Sequence, residues 1–379
     1  MTELFSGKKE KKVEYIELIY DLIFVYILGR SNTIIHTIDN GFIAPSVFLT
    51  YILSTFVILQ VWYSSVLFIN KYGENGLQEN LMIFINMYLL YYMADGTRAQ
   101  WQDFYMRYNT AWALILLNLI IQYLIKYRRA SENMPWITAH IKRSAIILSL
   151  QLLIVLISLP LYRFTGFPLA PFAMLFGIIA SLLSRKYDSL VSGDFEHLTE
   201  RIMLYVVFTF GEMIIAIANY FEGGFSLNSI YFSLSAFLIV AGLFLSYGFM
   251  YNNVIDRGTD RAGTRYMLLH VFLITALNNI TVALEFMRNE QVLEIPKNIF
   301  MTVSLIAYFF LLFTLEKYAK TRCRANKKFL LTVALMSALY AGLTALTYNN
   351  GFISILIAVI YIYSVFLYLY ISVKRNNKA

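Results

Sequence analysis

Runs of roughly 17 to 25 apolar residues recur along all 379 residues of the chain, with only short polar connections between them. This repetition restricts the fold more than any single motif. A stretch of about 20 apolar residues crosses a bilayer core as a helix, because a helix satisfies its own backbone hydrogen bonds where no water is available. Twelve such spans are found, at 14–36, 45–69, 81–104, 109–126, 141–161, 168–184, 195–221, 227–251, 265–287, 293–316, 328–347 and 351–373. The expected fold class is an all-α polytopic membrane protein of about 12 transmembrane helices. A composition 59% hydrophobic and only 14% charged argues against a soluble globular domain. No connection is long enough to hide a soluble domain, so activity is expected within the membrane region.

The charged residues then orient the chain. Lys8, Lys9, Lys11 and Lys12 at the start, Lys126, Arg128 and Arg129, the cluster Lys317 to Lys328, and Lys374, Arg375 and Lys378 all fall on one side of the twelve-span arrangement. The other side keeps only Arg98, Arg107, Arg163, Arg288 and Lys297. By the positive-inside rule both termini are expected in the cytoplasm, with the protein a multi-pass resident of the cell membrane. The net charge of +8 is read as topology plus attraction of anionic lipid headgroups to cytoplasmic loops, with no nucleic-acid partner expected. The first apolar run carries Glu14, Glu17 and Asp21 and lacks a small-residue cleavage pattern, so it is expected to be a retained span. Six spans on each side of a midpoint suggest two parallel six-helix halves, 14–186 and 187–373, flanked by a basic segment 1–13 and a tail 374–379.

Against this apolar background, the stretch 195–220, FEHLTERIMLYVVFTFGEMIIAIANY, stands out for the charges it takes into a span. A charge at bilayer depth costs at least a few kcal/mol, so such groups normally turn inward, pair, or meet water. At about 100° per residue, His197, Arg201 and Glu212 share one sector of this helix, while Glu200 lies about 60° to the other side of His197. Glu212 is about 16 Å along the axis from Arg201, which makes it the deepest carboxylate of the span and the expected proton-binding group, with Arg201 or Arg30 as its charge partner. On the first span Glu17 and Asp21 lie on one face, as an expected cytoplasmic access.

The first and seventh spans align at a shift of 182 positions, placing Gly29 on Gly211 and Arg30 on Glu212. An axis along the membrane normal would set Arg30 and Glu212 at equal depth, where they can pair. Interruptions are expected at Asp95-Gly96 in the third span and Asn278-Asn279 in the ninth, since these are poor helix residues within apolar runs. The ninth span also carries His270 and Glu285, 15 positions apart. His36 and His140 are read as interfacial. His197 and Glu200 supply only two ligands at a spacing suited to a metal, so neither metal nor cofactor is expected. The single cysteine, Cys323, excludes an intrachain disulfide.

These residues carry a resemblance. ELIYDLIFV, Glu17 to Val25, is similar to the pattern E-L-F-F-D-L-x-F-V of the bacterial low temperature requirement A family. His197-x-x-Glu200-Arg201 followed by Gly211-Glu212 is similar to that family's H-x-x-E-R and G-E elements, and His270 to Glu285 is a looser likeness. The chain departs at Ile19 and Tyr20 and at Met213, while keeping the ionisable positions. The resemblance implies a multipass membrane protein linked by name to growth in the cold, and no particular activity. The residues themselves leave three classes open. One is a secondary transporter or ion pathway, proton-coupled through its intramembrane carboxylates. Another is an intramembrane enzyme on a lipid or polyprenyl substrate, with His197 and Glu200 as acid and base. The third is a non-catalytic sensor or scaffold whose buried charges fix helix packing.

Overall fold

The computed structural model describes residues 12–94, 101–129, 135–183, 193–221, 226–258 and 263–376. Among these, twelve α-helices follow one another: Tyr15–Ser31 (α1), Pro45–Tyr72 (α2), Leu77–Ala94 (α3), Trp101–Arg129 (α4), Pro135–Thr165 (α5), Ala170–Leu183 (α6), Phe195–Ala216 (α7), Leu227–Phe249 (α8), Thr264–Arg288 (α9), Glu294–Thr314 (α10), Lys327–Leu346 (α11) and Gly351–Asn376 (α12). Each corresponds to one of the apolar spans. Several starts follow from local chemistry. Proline opens α2 and α5, where its missing N–H removes a donor that has no helical partner anyway. The side chains of Ser226 and Asn326 cap α8 and α11 by accepting from Ser229 N and Phe329 N.

Nine of the described helices are long and apolar enough to cross a membrane. The three others fall short for different reasons. α6 has 14 residues, about 21 Å of helix against a hydrocarbon core of about 30 Å. α3 carries Gln78, Glu79, Asn80 and Asn86, and α7 carries Glu196, Glu200, Arg201 and Glu212. α7 thus falls short through the charges it carries, not through its length.

Two compact units share the chain. The first comprises Met1–Thr33, Thr50–Tyr205 and Arg257–Met267. Within it α4 packs along both α3 and α5, α1 against α3, and α5 against α6. The second comprises Ile34–Leu49, Val206–Asp256 and Leu268–Ala379, with α12 packed along α8, α10 and α11. It also holds a hairpin pairing Ile38 with Ile43 and Asp39 with Phe42. Asn40 and Gly41 both have positive φ, 51° and 84°, as a tight two-residue turn between strands requires. The dipeptide Asn-Gly announces this turn, although the apolar pattern alone leaves it as a connection.

The expected break in the ninth span does not occur. α9 runs unbroken through Asn278 and Asn279, because the propensity penalty of two asparagines is small beside the burial of the surrounding helix. Asp95-Gly96 lies outside the described residues.

Candidate functional site

The first unit encloses a charged cluster built from two i, i+4 pairs. Glu17 and Asp21 stand one turn apart on α1, and His197 and Arg201 one turn apart on α7, so each helix presents two groups on one face. All four lie within the first two turns of their helices, so the N-termini of α1 and α7 point the same way. α2 supplies its C-terminal half, with Trp62 and Asn70.

Arg201 holds the cluster together. Its Nε and Nη2 donate to Asp21 Oδ2 and Oδ1, both at 2.9 Å, and its Nη1 donates to Glu17 Oε2 at 2.8 Å. The paired contact with Asp21 uses the planar fork of the guanidinium, which lysine does not possess. Trp62 Nε1 adds a further donor to Asp21 Oδ1 at 2.9 Å, and the Trp62 ring lies 4.3 Å from that of Tyr205. Glu17, Asp21 and Arg201 are 0% exposed and His197 1%.

His197 is anchored at both of its polar ends. Its backbone N–H is capped by Asp194 Oδ1 at 3.0 Å, and its Nδ1 donates to Asn70 Oδ1 at 3.1 Å. Gly193 permits that arrangement, because a Cβ there would stand 2.4 Å from Asn70 Nδ2. His197 Nε2 lies 3.3 Å from Glu17 Oε2, inside ion-pair range, while its angle falls short of hydrogen-bond geometry. We therefore treat this contact as electrostatic. A neutral polar network continues from the cluster through Tyr20 Oη, which meets Ser65 Oγ and accepts from Asn86, and then to Asn118.

The remaining sequence candidates lie elsewhere. Arg201 is engaged by Glu17 and Asp21, so the expectation that it partners Glu212 is corrected. The reason is geometric: an arginine near the start of one span reaches carboxylates at the same depth on another more easily than one three turns away on its own helix. Glu212 is half-buried in the second unit, where it feels the charge of Glu285. Glu285 in turn meets His36 Nε2 at 2.9 Å, so His36 is an ion-pair partner as well as an end-of-span residue. His270 is fully buried against Tyr247 Oη at 3.2 Å, far along α9 from Glu285, so these two residues form no common centre. Glu200 is exposed and does not join His197. Arg30 is half-buried among Tyr26, Tyr88, Tyr91 and Tyr92, in the first unit. The sequence reading missed Trp62 and Asn70, whose only signal was a polar atom inside an apolar span.

An all-α polytopic membrane protein whose first and seventh helices meet through a sealed ion cluster is therefore the class defined by fold and site. Within that class, the chain belongs to the bacterial low temperature requirement A protein (LtrA) family, whose sequence model matches residues 12–362. That range contains every residue of the cluster. No curated protein matches the chain.

Proposed function

We propose that this protein is a proton-linked secondary transporter of the cell membrane, with both termini cytoplasmic and the proton carried by Glu17 or His197. The observation that carries this reading is the charge count. Among the described residues, the ion-paired groups Glu17, Asp21 and Arg201 sum to one negative charge and have no solvent exposure. A single proton on His197 or on Glu17 brings the sum to zero, and the two groups sit 3.3 Å apart. Burial in low dielectric makes an uncompensated charge far more costly than a compensated one, so the neutral form is favoured. Among the described residues, the charged and titratable groups around this proton include Asp21, Arg201, Tyr20, Tyr205 and Asp194. Such a site releases its proton when the surrounding helices part and water enters, as alternating access requires.

A packing core is the second reading, favoured by two features. The cluster is closed to solvent, and the N-termini of α1 and α7 bring partial positive charge that offsets a surplus carboxylate without a proton. Proton flux separates the two. The full-length protein is reconstituted in vesicles with an entrapped pH dye, and a potassium diffusion potential is imposed. The transporter reading expects flux above protein-free vesicles, lowered about tenfold or more in Glu17→Gln and in His197→Gln. Wild-type flux equal to that of empty vesicles at every pH would leave the packing core standing.

A further inference from the structure

α1 carries two unlike faces. Glu17 and Asp21 are buried in the ion cluster, while Tyr15, Ile19, Leu22 and Tyr26 are all exposed. At about 100° per residue these four form a stripe about 60° wide on the side of the helix away from the two carboxylates. The stripe continues to Arg30, about 40° beyond Tyr26, so Arg30 is the charge that ends an apolar track about 22 Å long. α3, which packs against α1, presents a matching stripe of exposed residues, Leu81, Phe84, Ile85, Tyr88 and Tyr92. Where the two stripes end, Tyr26, Arg30, Tyr88, Tyr91 and Tyr92 line a cleft of about 300 Å³ in the first unit. The helix rises about 20 Å from Glu17 to Arg30, which puts the cleft at the opposite end of α1 from the ion cluster.

The walls of the cleft are tied to one another. The rings of Tyr26 and Tyr91 lie 6.1 Å apart across the two helices, and the hydroxyls of Tyr88 and Tyr92 share a hydrogen bond of 2.7 Å. The four tyrosines are 42% to 62% exposed. An apolar ring with a polar tip suits the level of the lipid headgroups, where one end meets hydrocarbon and the other water. Arg30 is half-buried among them and, among the described residues, makes no ion pair.

The shape and chemistry of the cleft select its occupant. A guanidinium meets phosphate oxygens with two parallel N–H donors, and tyrosine hydroxyls add further donors beside it. Its 300 Å³ stands at the lower end of small-molecule sites, enough for a headgroup and too little for acyl chains as well. The chains have a place of their own, because both stripes run from the cleft into the bilayer and the residues that form them are uncharged. We propose that the cleft binds the headgroup of an anionic phospholipid, with Arg30 on the phosphate, tyrosine hydroxyls on its oxygens, and the acyl chains along the exposed stripes of α1 and α3. This proposal stands independently of the proton reading, because it requires neither Glu17 nor His197.

The test offers the full-length protein in mild detergent phosphatidylglycerol and phosphatidylcholine with the same acyl chains, and reads retention by native mass spectrometry. Phosphatidylglycerol is expected to be retained about tenfold or more over phosphatidylcholine, and Arg30→Met to remove that preference, since it deletes the charge-assisted bonds. Arg30→Lys keeps the charge without the planar fork and is expected to keep part of the preference. Arg163→Met, at the exposed end of α5, is expected to leave it unchanged. Tyr26→Ala opens the cleft without touching the charge, and at an exposed position it keeps the test intact where Arg30→Met fails to fold; it is expected to weaken phosphatidylglycerol retention several-fold. Equal retention of the two lipids by the wild-type chain, as a simple aromatic belt would give, would overturn the proposal. So would an unchanged preference in folded Arg30→Met and Tyr26→Ala, or a dimer that Tyr26→Ala dissociates with no lipid retained. Soluble glycerol phosphate binding as tightly as the lipid, measured by calorimetry, would overturn the assignment to a lipid.

Discussion

Replacing Arg201 by methionine tests the cluster most directly, because the new side chain has a similar reach and no charge. Three hydrogen bonds of 2.8 to 2.9 Å disappear, two to Asp21 and one to Glu17. At the average of about 0.6 kcal/mol found for interhelical hydrogen bonds in membranes, they sum to about 2 kcal/mol. Breaking a buried ion pair from one side costs about 3 to 5 kcal/mol, since it strands the opposite charges. The expected loss is therefore about 2 to 5 kcal/mol, with the second term dominant because both carboxylates are 0% exposed. That dominance has a consequence. Adding Asp21→Asn and Glu17→Gln to Arg201→Met removes the stranded charges, so the triple variant is expected to recover about 1 to 3 kcal/mol. Equilibrium unfolding in mixed micelles, followed by tryptophan fluorescence, measures these differences. Trp62 bonds directly to Asp21 and reports the site, with Trp62→Phe identifying its signal. Arg201→Met within about 0.5 kcal/mol of wild type, or losses that simply add across the three positions, would refute the reasoning.

Two further predictions concern its surroundings. Gly193→Ala drives a Cβ to 2.4 Å from Asn70 Nδ2, so it is expected to cost about 1 to 3 kcal/mol in the same unfolding assay and to alter the imidazole nitrogen resonances of His197. The Lys126 ammonium at the end of α4 lies 2.9 Å from Glu74, in the connection between α2 and α3, and 2.7 Å from Glu79 in α3, and holds the Glu74 carboxyl below its ordinary value of 4.5. Because the folded-state value is the lower one, the stabilisation from Glu74 is present above pH 4.5 and is lost as the pH falls through the lowered value. With Glu74 67% exposed, solvent screening limits this to below about 1 kcal/mol, and Glu74→Gln is expected to flatten that part of the pH-stability curve.

The positions of the helices were legible because the solvent for their outer faces is lipid. A long apolar run has one outcome in a bilayer, so each of the twelve runs holds a helix among the described residues, nine of them long and apolar enough to cross. The ionisable faces of α1 and α7 were legible for a related reason: side-chain periodicity within a helix is fixed at 3.6 residues per turn. Glu17 with Asp21, and His197 with Arg201, were thus assigned to common faces from spacing alone. Which face met which was a different matter. Arg201 was free, as far as spacing showed, to pair with Glu212 on its own helix, and only the packing of α1 beside α7 gave it Glu17 and Asp21 instead. Asn278-Asn279 show the converse, where local preference suggested a break and burial kept the helix whole. Trp62 and Asn70 carried no periodic signal, because a lone polar residue in an apolar span says nothing about the helix it faces. Element type follows from local backbone satisfaction and can be read from composition. Partner choice depends on contacts between residues as far as 249 positions apart, and that information exists only once the chain has packed.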